Sequence, residues 1–421
     1  MLDLKFIREN TDLVRLGLKN RGSSLELDSL IGLDEKRKKV LFELEGLRSE
    51  KNKANDEISK ILKEKKDPKE RIASMKDIAA RINQLETELK EIEPQVNRIL
   101  LTVPNIPHSS VPVGDASVNQ TVRTWGSPKK IPNPRSHIEL AEHLDIIDFN
   151  RAAKITGSNF ILYKGEGARL ERALYNFMLD LHTSQHGYKE IFPPFLVNRA
   201  SMTGTGQLPK LEDDMYRLKD DDLFLIPTAE VPLTNIFRDE ILNEEDLPVY
   251  YTAYTACFRR EAGSYGKDTR GLMRVHQFDK VEMVKFVKPE SSYDELEKLV
   301  NNAETVLQLL GLPYRVILLS TGDISFAASK CYDLEAYAPG LDKWLEVSSC
   351  SNFESFQARR ANIKYRKKDK KVEYLHTLNG SGVALARTVI AILENYQQPD
   401  GTVLIPEVLR PYMNSKERIT L

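Results

Sequence analysis

The chain has 421 residues, 41% hydrophobic and 8% aromatic, enough for two or three domains and at least one large core. Its formal net charge of -1 excludes wholesale coating of nucleic acid, so a polyanionic partner would have to be met by a local basic stripe. Cys257, Cys331 and Cys350 form no Cys-x-x-Cys pair, the N-terminus MLDLKFIREN has no signal-peptide core, and no stretch reaches the ~20 apolar residues of a membrane span; a reduced, cytoplasmic protein with no membrane contact is expected.

From Leu30, apolar residues recur at Leu33, Val40, Leu44, Leu47, Ala54, Ile58 and Ile61 on a charged background, a heptad-like helical seam that also carries Arg37 and Lys51. A break at Lys65-Lys66-Asp67-Pro68 precedes a second stripe through Ile72, Met75, Ala79, Ile82, Leu85, Leu89, Ile92, Val96 and Ile99. The spacing predicts an antiparallel helical hairpin whose arms are each ~45 Å long at 1.5 Å per residue. Between Glu35 and Arg71, 13 Lys or Arg stand against 9 Asp or Glu. The arm reads either as a core-forming or dimerising coiled coil or, through that excess, as a surface that follows a phosphate backbone.

Pro104, Pro107 and Pro112 make TVPNIPHSSVPVG, Thr102 to Gly114, a linker or wrapping segment. We therefore divide the chain into an N-terminal domain, 1–103, and a second domain, 104–421, that opens with this linker at 104–114. Beyond it, β-like runs such as LFLIPT, VYYTAYTACF and VEMVKFV alternate with helical stretches at Glu171 to His186 and Ser292 to Leu310. The expected class is α+β, with a helical coiled-coil arm followed by a mixed, mainly antiparallel sheet with flanking helices. No Rossmann turn or Walker loop is present, so a nucleotide would have to be held in another way.

The stretch FRREAGSYGKDTRGLMRVHQFDKVE, from Phe258, carries a charged, glycine-rich segment too long for a hairpin turn, a candidate ligand loop. Strand alternation would put Arg259 and Glu261 on one face before it, and Phe278, Lys280 and Glu282 on one face after it. If the two strands pair, one sheet surface gathers two cations, carboxylates and a ring, the set an ATP site on a sheet would need, or else a solvated face of cross-strand ion pairs. In WLEVSSCSNF, Glu346 with Ser348 and Ser349 offers oxygen donors for Mg²⁺, or else is one exposed acid on an edge strand. In LNGSGVALARTVIAILEN, turn residues Asn379 to Gly382 lead into an apolar helix in which Arg387 is the one cation, aimed at an anion or held in a buried ion pair.

Together these segments resemble the bacterial-type seryl-tRNA synthetases, class II aminoacyl-tRNA synthetases, along the whole chain. GYKEIFPPF with Pro194, FRRE through HQFDKVE, and GSGVALARTVIAILEN resemble the three class II motifs. VPNIPHSSVP, the TAE of Thr228 to Glu230, REAGSYGKDTRGLMRVHQF and EVSSCSNFESFQARR resemble segments particular to the seryl family. Two departures are Ala386, where the family commonly has Gly, and Arg260, where it has a smaller residue.

The resemblance implies activation of L-serine with ATP to seryl-adenylate and transfer to tRNA(Ser), with tRNA(Sec) a further acceptor where present. It implies a catalytic set of Arg259, Glu346 and Arg387. Serine would meet Thr228, Ala229, Glu230, Arg259, Glu282, Asn379 and Ser381. ATP would meet Arg259, Arg260, Glu261, Val275, Phe278, Glu346, Val347, Ser348, Ser349 and Arg387. Mg²⁺ would sit on Glu346 and Ser349, although strict alternation pairs Glu346 with Ser348, so a bulge is required. Lys267 and Arg270 of the loop would meet tRNA, and a homodimer would bind tRNA across subunits. No zinc is expected. An amino-acid:carrier-protein ligase would lack the arm and carry a zinc site, and a non-catalytic scaffold would have no reason to keep the site's charges.

Overall fold

A computed structural model of the chain describes residues 1–262 and 271–421. These form two compact units: Leu2–Lys19 with Ser23–Pro104, and Asn105–Leu421 with Met1 and Asn20–Gly22.

In the first unit, helices α1 (Leu4–Glu9) and α2 (Thr11–Asn20) precede two long helices, α3 (Leu27–Lys63) and α4 (Lys69–Leu100). At 37 and 32 residues the long helices span ~55 and ~48 Å, more than expected because α3 begins before its apolar seam does. They are antiparallel: Lys36–Glu88 at 3.0 Å, Arg48–Glu86 at 2.7 Å and Arg71–Glu57 at 2.8 Å pair in opposite chain order. Such exposed pairs contribute little. The hairpin is held by its buried seam, Leu30, Val40, Leu44 and Ala54 of α3 and Ile82, Leu85, Leu89, Ile92 and Val96 of α4. Ile72, placed on the seam by its spacing, is 42% exposed, and Ile78 is partly buried instead. Arg37 is partly buried and reaches Glu93 at 3.4 Å, so a cation on the seam keeps its stem covered and its head paired at the rim.

The second unit carries helices α5 (His137–His143), α6 (Phe149–Thr156), α7 (Gly165–Ser184), α8 (Arg199–Thr205), α9 (Glu230–Thr234), α10 (Ser292–Leu309), α11 (Phe356–Arg360) and α12 (Leu385–Tyr396). Its main sheet, eight-stranded among the described residues, is built from β1 (Gln120–Trp125), β2 (Lys189–Glu190), β3 (Val249–Phe258), β4 (Gln277–Val287), β5 (Tyr314–Leu318), β6 (Lys330–Ala338), β7 (Lys343–Asn352) and β8 (His376–Ala384). The spatial order is β1-β5-β6-β7-β8-β4-β3-β2, antiparallel throughout except for the parallel pair β2 and β3. α7, α10 and α12 cover one face in a single core with Val281, Met283, Leu334 and Leu378, which leaves the other face of β4 and β8 to line a cleft. Residues 103–114 carry neither helix nor strand. No described helix is long and apolar enough to cross a membrane.

One segment departs from its expected form. Asn379 to Gly382, read as a turn, lie within the central strand β8. Their glycines answer to packing: a Cβ on Gly380 would stand 2.7 Å from Cys350 Sγ, and one on Gly382 would stand 2.8 Å from His182 Nε2. Strand glycines mark such close approaches and bulges, and the β8/β4 register does shift between Ser381 and Val383.

Candidate active site

β3 and β4 form the antiparallel hairpin expected on either side of the charged loop, with Cys257 opposite Phe278, Thr255 opposite Lys280 and Ala253 opposite Glu282. Phe278, Lys280 and Glu282 therefore share a face, which looks into a cleft of about 810 Å³. Arg259 follows β3, bonded through its N–H to the His276 carbonyl at 2.9 Å, and its guanidinium lies 5.1 Å from the Phe278 ring centroid. Glu261 lines the cleft by another route than strand alternation. β3 ends at Phe258, Glu261 adopts φ +50, and its carboxylate meets Arg274 at 3.2 Å. Asp214 holds this corner by accepting the Arg260 and Ala262 N–H groups at 2.9 Å each.

At the floor, Glu282 is fully buried and both of its oxygens are engaged. Oε2 accepts from the Thr228 hydroxyl at 2.8 Å and pairs with Lys280, and Oε1 accepts from Asn379 at 3.0 Å. Glu230, in the first turn of α9, accepts from Gln357 Nε2 at 2.6 Å, and Gln357 is itself held by the Thr377 hydroxyl at 2.8 Å. Burial, reinforced by the charge of Glu282, pushes the Glu230 carboxyl up to about 7. The floor thus offers two buried carboxylates in unlike settings, with Ser381 also lining it.

On the opposite wall the predicted bulge is present. Glu346 stands opposite Glu335 and Ser348 opposite Leu334, so Val347 is the extra residue of β7. The shift brings Ser349, opposite Asp333, onto the face of Glu346, while the Ser348 hydroxyl turns to the Ser381 carbonyl at 2.7 Å. Burial, with the Glu346 charge beside it, pushes the Asp333 carboxyl up to about 8. Two crowded carboxylates and a hydroxyl are a hard oxygen donor set that fits Mg²⁺. Arg387, in the first turn of α12, reaches Glu346 Oε2 at 3.3 Å and the Glu346 carbonyl at 2.8 Å.

The structure therefore brings Thr228, Glu230, Arg259, Glu261, Val275, Phe278, Glu346, Val347, Ser348, Ser349, Asn379, Ser381 and Arg387 to one cleft, with Glu282 directly beneath it. Two expected residues do not line it: Ala229 is buried as the N-cap of α9, and the exposed Arg260 lies outside the lining. Lys267 and Arg270 lie outside the described residues. Sequence reasoning missed Asp333 and Gln357. The alternation of Cys331, Asp333 and Glu335 along β6 carried a signal for the first, whereas nothing in the spacing of FQARR marks the second.

An antiparallel sheet with a carboxylate floor, an arginine over an aromatic ring and an arginine at the head of the following helix define a class II aminoacyl-tRNA synthetase core. In agreement, residues 212–396 match the tRNA synthetase class II core domain (G, H, P, S and T), and residues 1–107 match the seryl-tRNA synthetase N-terminal domain. The chain is 58% identical to the serine–tRNA ligase of Geobacter sulfurreducens, covering all of both chains, and 56% identical to that of Carboxydothermus hydrogenoformans, covering 98% of each. Among solved structures it is similar to the seryl-tRNA synthetase of Pyrococcus horikoshii complexed with ATP, with a TM-score of 0.93 and 41% identity over 100% of this chain and 99% of that one. The chain belongs to the seryl-tRNA synthetase family.

Proposed function

We propose that this chain is a serine–tRNA ligase, which activates L-serine with ATP and passes the seryl group to tRNA(Ser), and to tRNA(Sec) where a cell makes one. The observation that carries the reading is the floor itself, where an engaged carboxylate, Glu282, lies beside a less engaged one, Glu230, under a nucleotide-sized cleft. Glu230 and Thr228 take the serine ammonium, and Glu282, Asn379 and Ser381 meet the hydroxyl. Alanine offers that set no hydroxyl, forgoes the hydrogen bonds that serine makes there and is rejected.

Phe278 supports the adenine ring, Glu261 and the backbone near Val275 meet its edge, and Arg259 bridges the serine carboxylate and the α-phosphate, where charge builds during in-line attack. Arg387 holds the γ-phosphate end of the leaving pyrophosphate. Mg²⁺ bound by Glu346 and Ser349, with Asp333 beside them, would neutralise phosphate charge. Residues 1–103 serve tRNA recognition and 104–421 catalysis, in a cytoplasmic homodimer whose arm serves the partner's site, with Lys267 and Arg270 toward the acceptor end. Charging of a tRNA(Ser) transcript with serine, against alanine and threonine controls, tests the reading.

Two results are expected. Sedimentation at micromolar concentration gives a dimer, and a stable, fully active monomer would contradict the cross-subunit arrangement. The second concerns pH. A carboxyl raised from 4.5 to about 7 favours folding below its ordinary value, and that contribution is lost as pH rises through about 7. Ammonium binding runs the other way, because it needs the ionised form. The KM for serine should therefore fall as pH is raised from 6 to 8 and flatten above, while Glu230→Gln removes the slope and raises KM about tenfold or more. A slope that survives the substitution would remove Glu230 from this role.

A further inference from the structure

Lys280 is buried on β4 between Phe278 and Glu282, and nothing in the roles above uses it. Its ammonium donates to the Thr228 hydroxyl at 2.9 Å and pairs with Glu282 Oε2. Its partners are chosen unevenly. Glu282 receives a full cation as well as two neutral donors, whereas the described contacts of Glu230 are neutral: its carboxylate accepts from the Gln357 amide, and its backbone N–H donates to the Thr228 hydroxyl at 3.2 Å. Two carboxylates in one pocket otherwise compete for the same ammonium, and a substrate amine could be bound by either of them.

Resting on the reading of the site given above, we propose that Lys280 determines the orientation and the hydroxyl specificity of the bound amino acid by satisfying the charge of Glu282. Glu282 is thereby kept as an acceptor for a neutral hydroxyl, and Glu230 is left as the carboxylate that receives the ammonium. Lys280 acts through Glu282 and Thr228 and is a positioning residue. Removing its charge leaves Glu282 and Glu230 side by side without that cation, in a pocket where Arg259 is a further cation and the Cys257 and Cys350 thiols are titratable neighbours.

The test is ATP–pyrophosphate exchange by full-length Lys280→Met, Glu282→Gln and the double variant, with serine and with alanine, across pH 6 to 9. For Lys280→Met, the KM for serine should rise tenfold or more and its pH dependence move to higher pH. The preference for serine over alanine should fall by a similar factor, with the KM for ATP within twofold of the parent. The double variant, its pocket relieved of both charges, should bind serine more tightly than Lys280→Met does. Unchanged serine KM and preference in Lys280→Met would overturn the proposal, as would equal losses for serine and ATP with the preference retained. If Lys280→Met does not fold, the double variant is compared with Glu282→Gln: a serine KM no higher than that of Glu282→Gln would support action through Glu282, and a further tenfold rise would overturn the proposal. Absence of serine-dependent exchange in the parent protein would refute the functional reading itself, a separate result.

Discussion

Replacing residues 36–98 with a short Gly-Ser turn is expected to leave serine-dependent pyrophosphate exchange within a few-fold of the intact chain and to lower tRNA charging by about 100-fold or more. The first half follows from burial. The apolar residues of the replaced segment, Val40, Leu44 and Ala54 with Ile82, Leu85, Leu89, Ile92 and Val96, make up the hairpin's own seam, and the cleft is lined by residues from Thr205 to Arg387. The second half follows from charge. Lys or Arg outnumber acids 13 to 9 between Glu35 and Arg71, and phosphate contacts are the ones that set the register of an RNA on a protein. Charging by the intact chain should accordingly weaken as salt rises. A truncated protein that charges tRNA as well as the whole chain would make the hairpin purely structural.

Arg387→Ala is expected to lower the rate of adenylate formation by ~10²- to 10³-fold with little change in the KM for serine. Arg387 is held by Glu346, at 3.3 Å from its carboxylate and 2.8 Å from its carbonyl, on the wall proposed above to take the phosphates. Glu282→Gln should do the reverse, raising the KM for serine and admitting alanine while sparing the KM for ATP. Quenched-flow measurement of adenylate formation by both variants separates the two. Equal effects of the two substitutions on serine binding would show that the roles are misassigned.

The sequence showed most clearly those features that repeat. The hairpin arm was legible from steps of three and four, and the β3/β4 pair from alternation on either side of the loop, because periodicity reports which face is buried. Where the backbone departs from regularity the sequence was less clear. Glu261 reaches the cleft by a left-handed turn that alternation does not foresee, and Asn379 to Gly382 look like a turn although their glycines serve close packing against Cys350 and His182. The bulge at Val347 was required by the family resemblance but was not readable from the strand, since an extra residue leaves no compositional mark. Gln357 was hidden for another reason: it acts across 127 residues of chain on Glu230, a contact that only the fold creates.

If this cleft makes an adenylate from serine and ATP, purified full-length protein with Mg²⁺ and no tRNA should exchange labelled pyrophosphate into ATP. Exchange should require serine, saturate with it, and fall by at least ~100-fold when alanine replaces it. Exchange that does not depend on serine, or that runs as well with alanine, would contradict that chemistry.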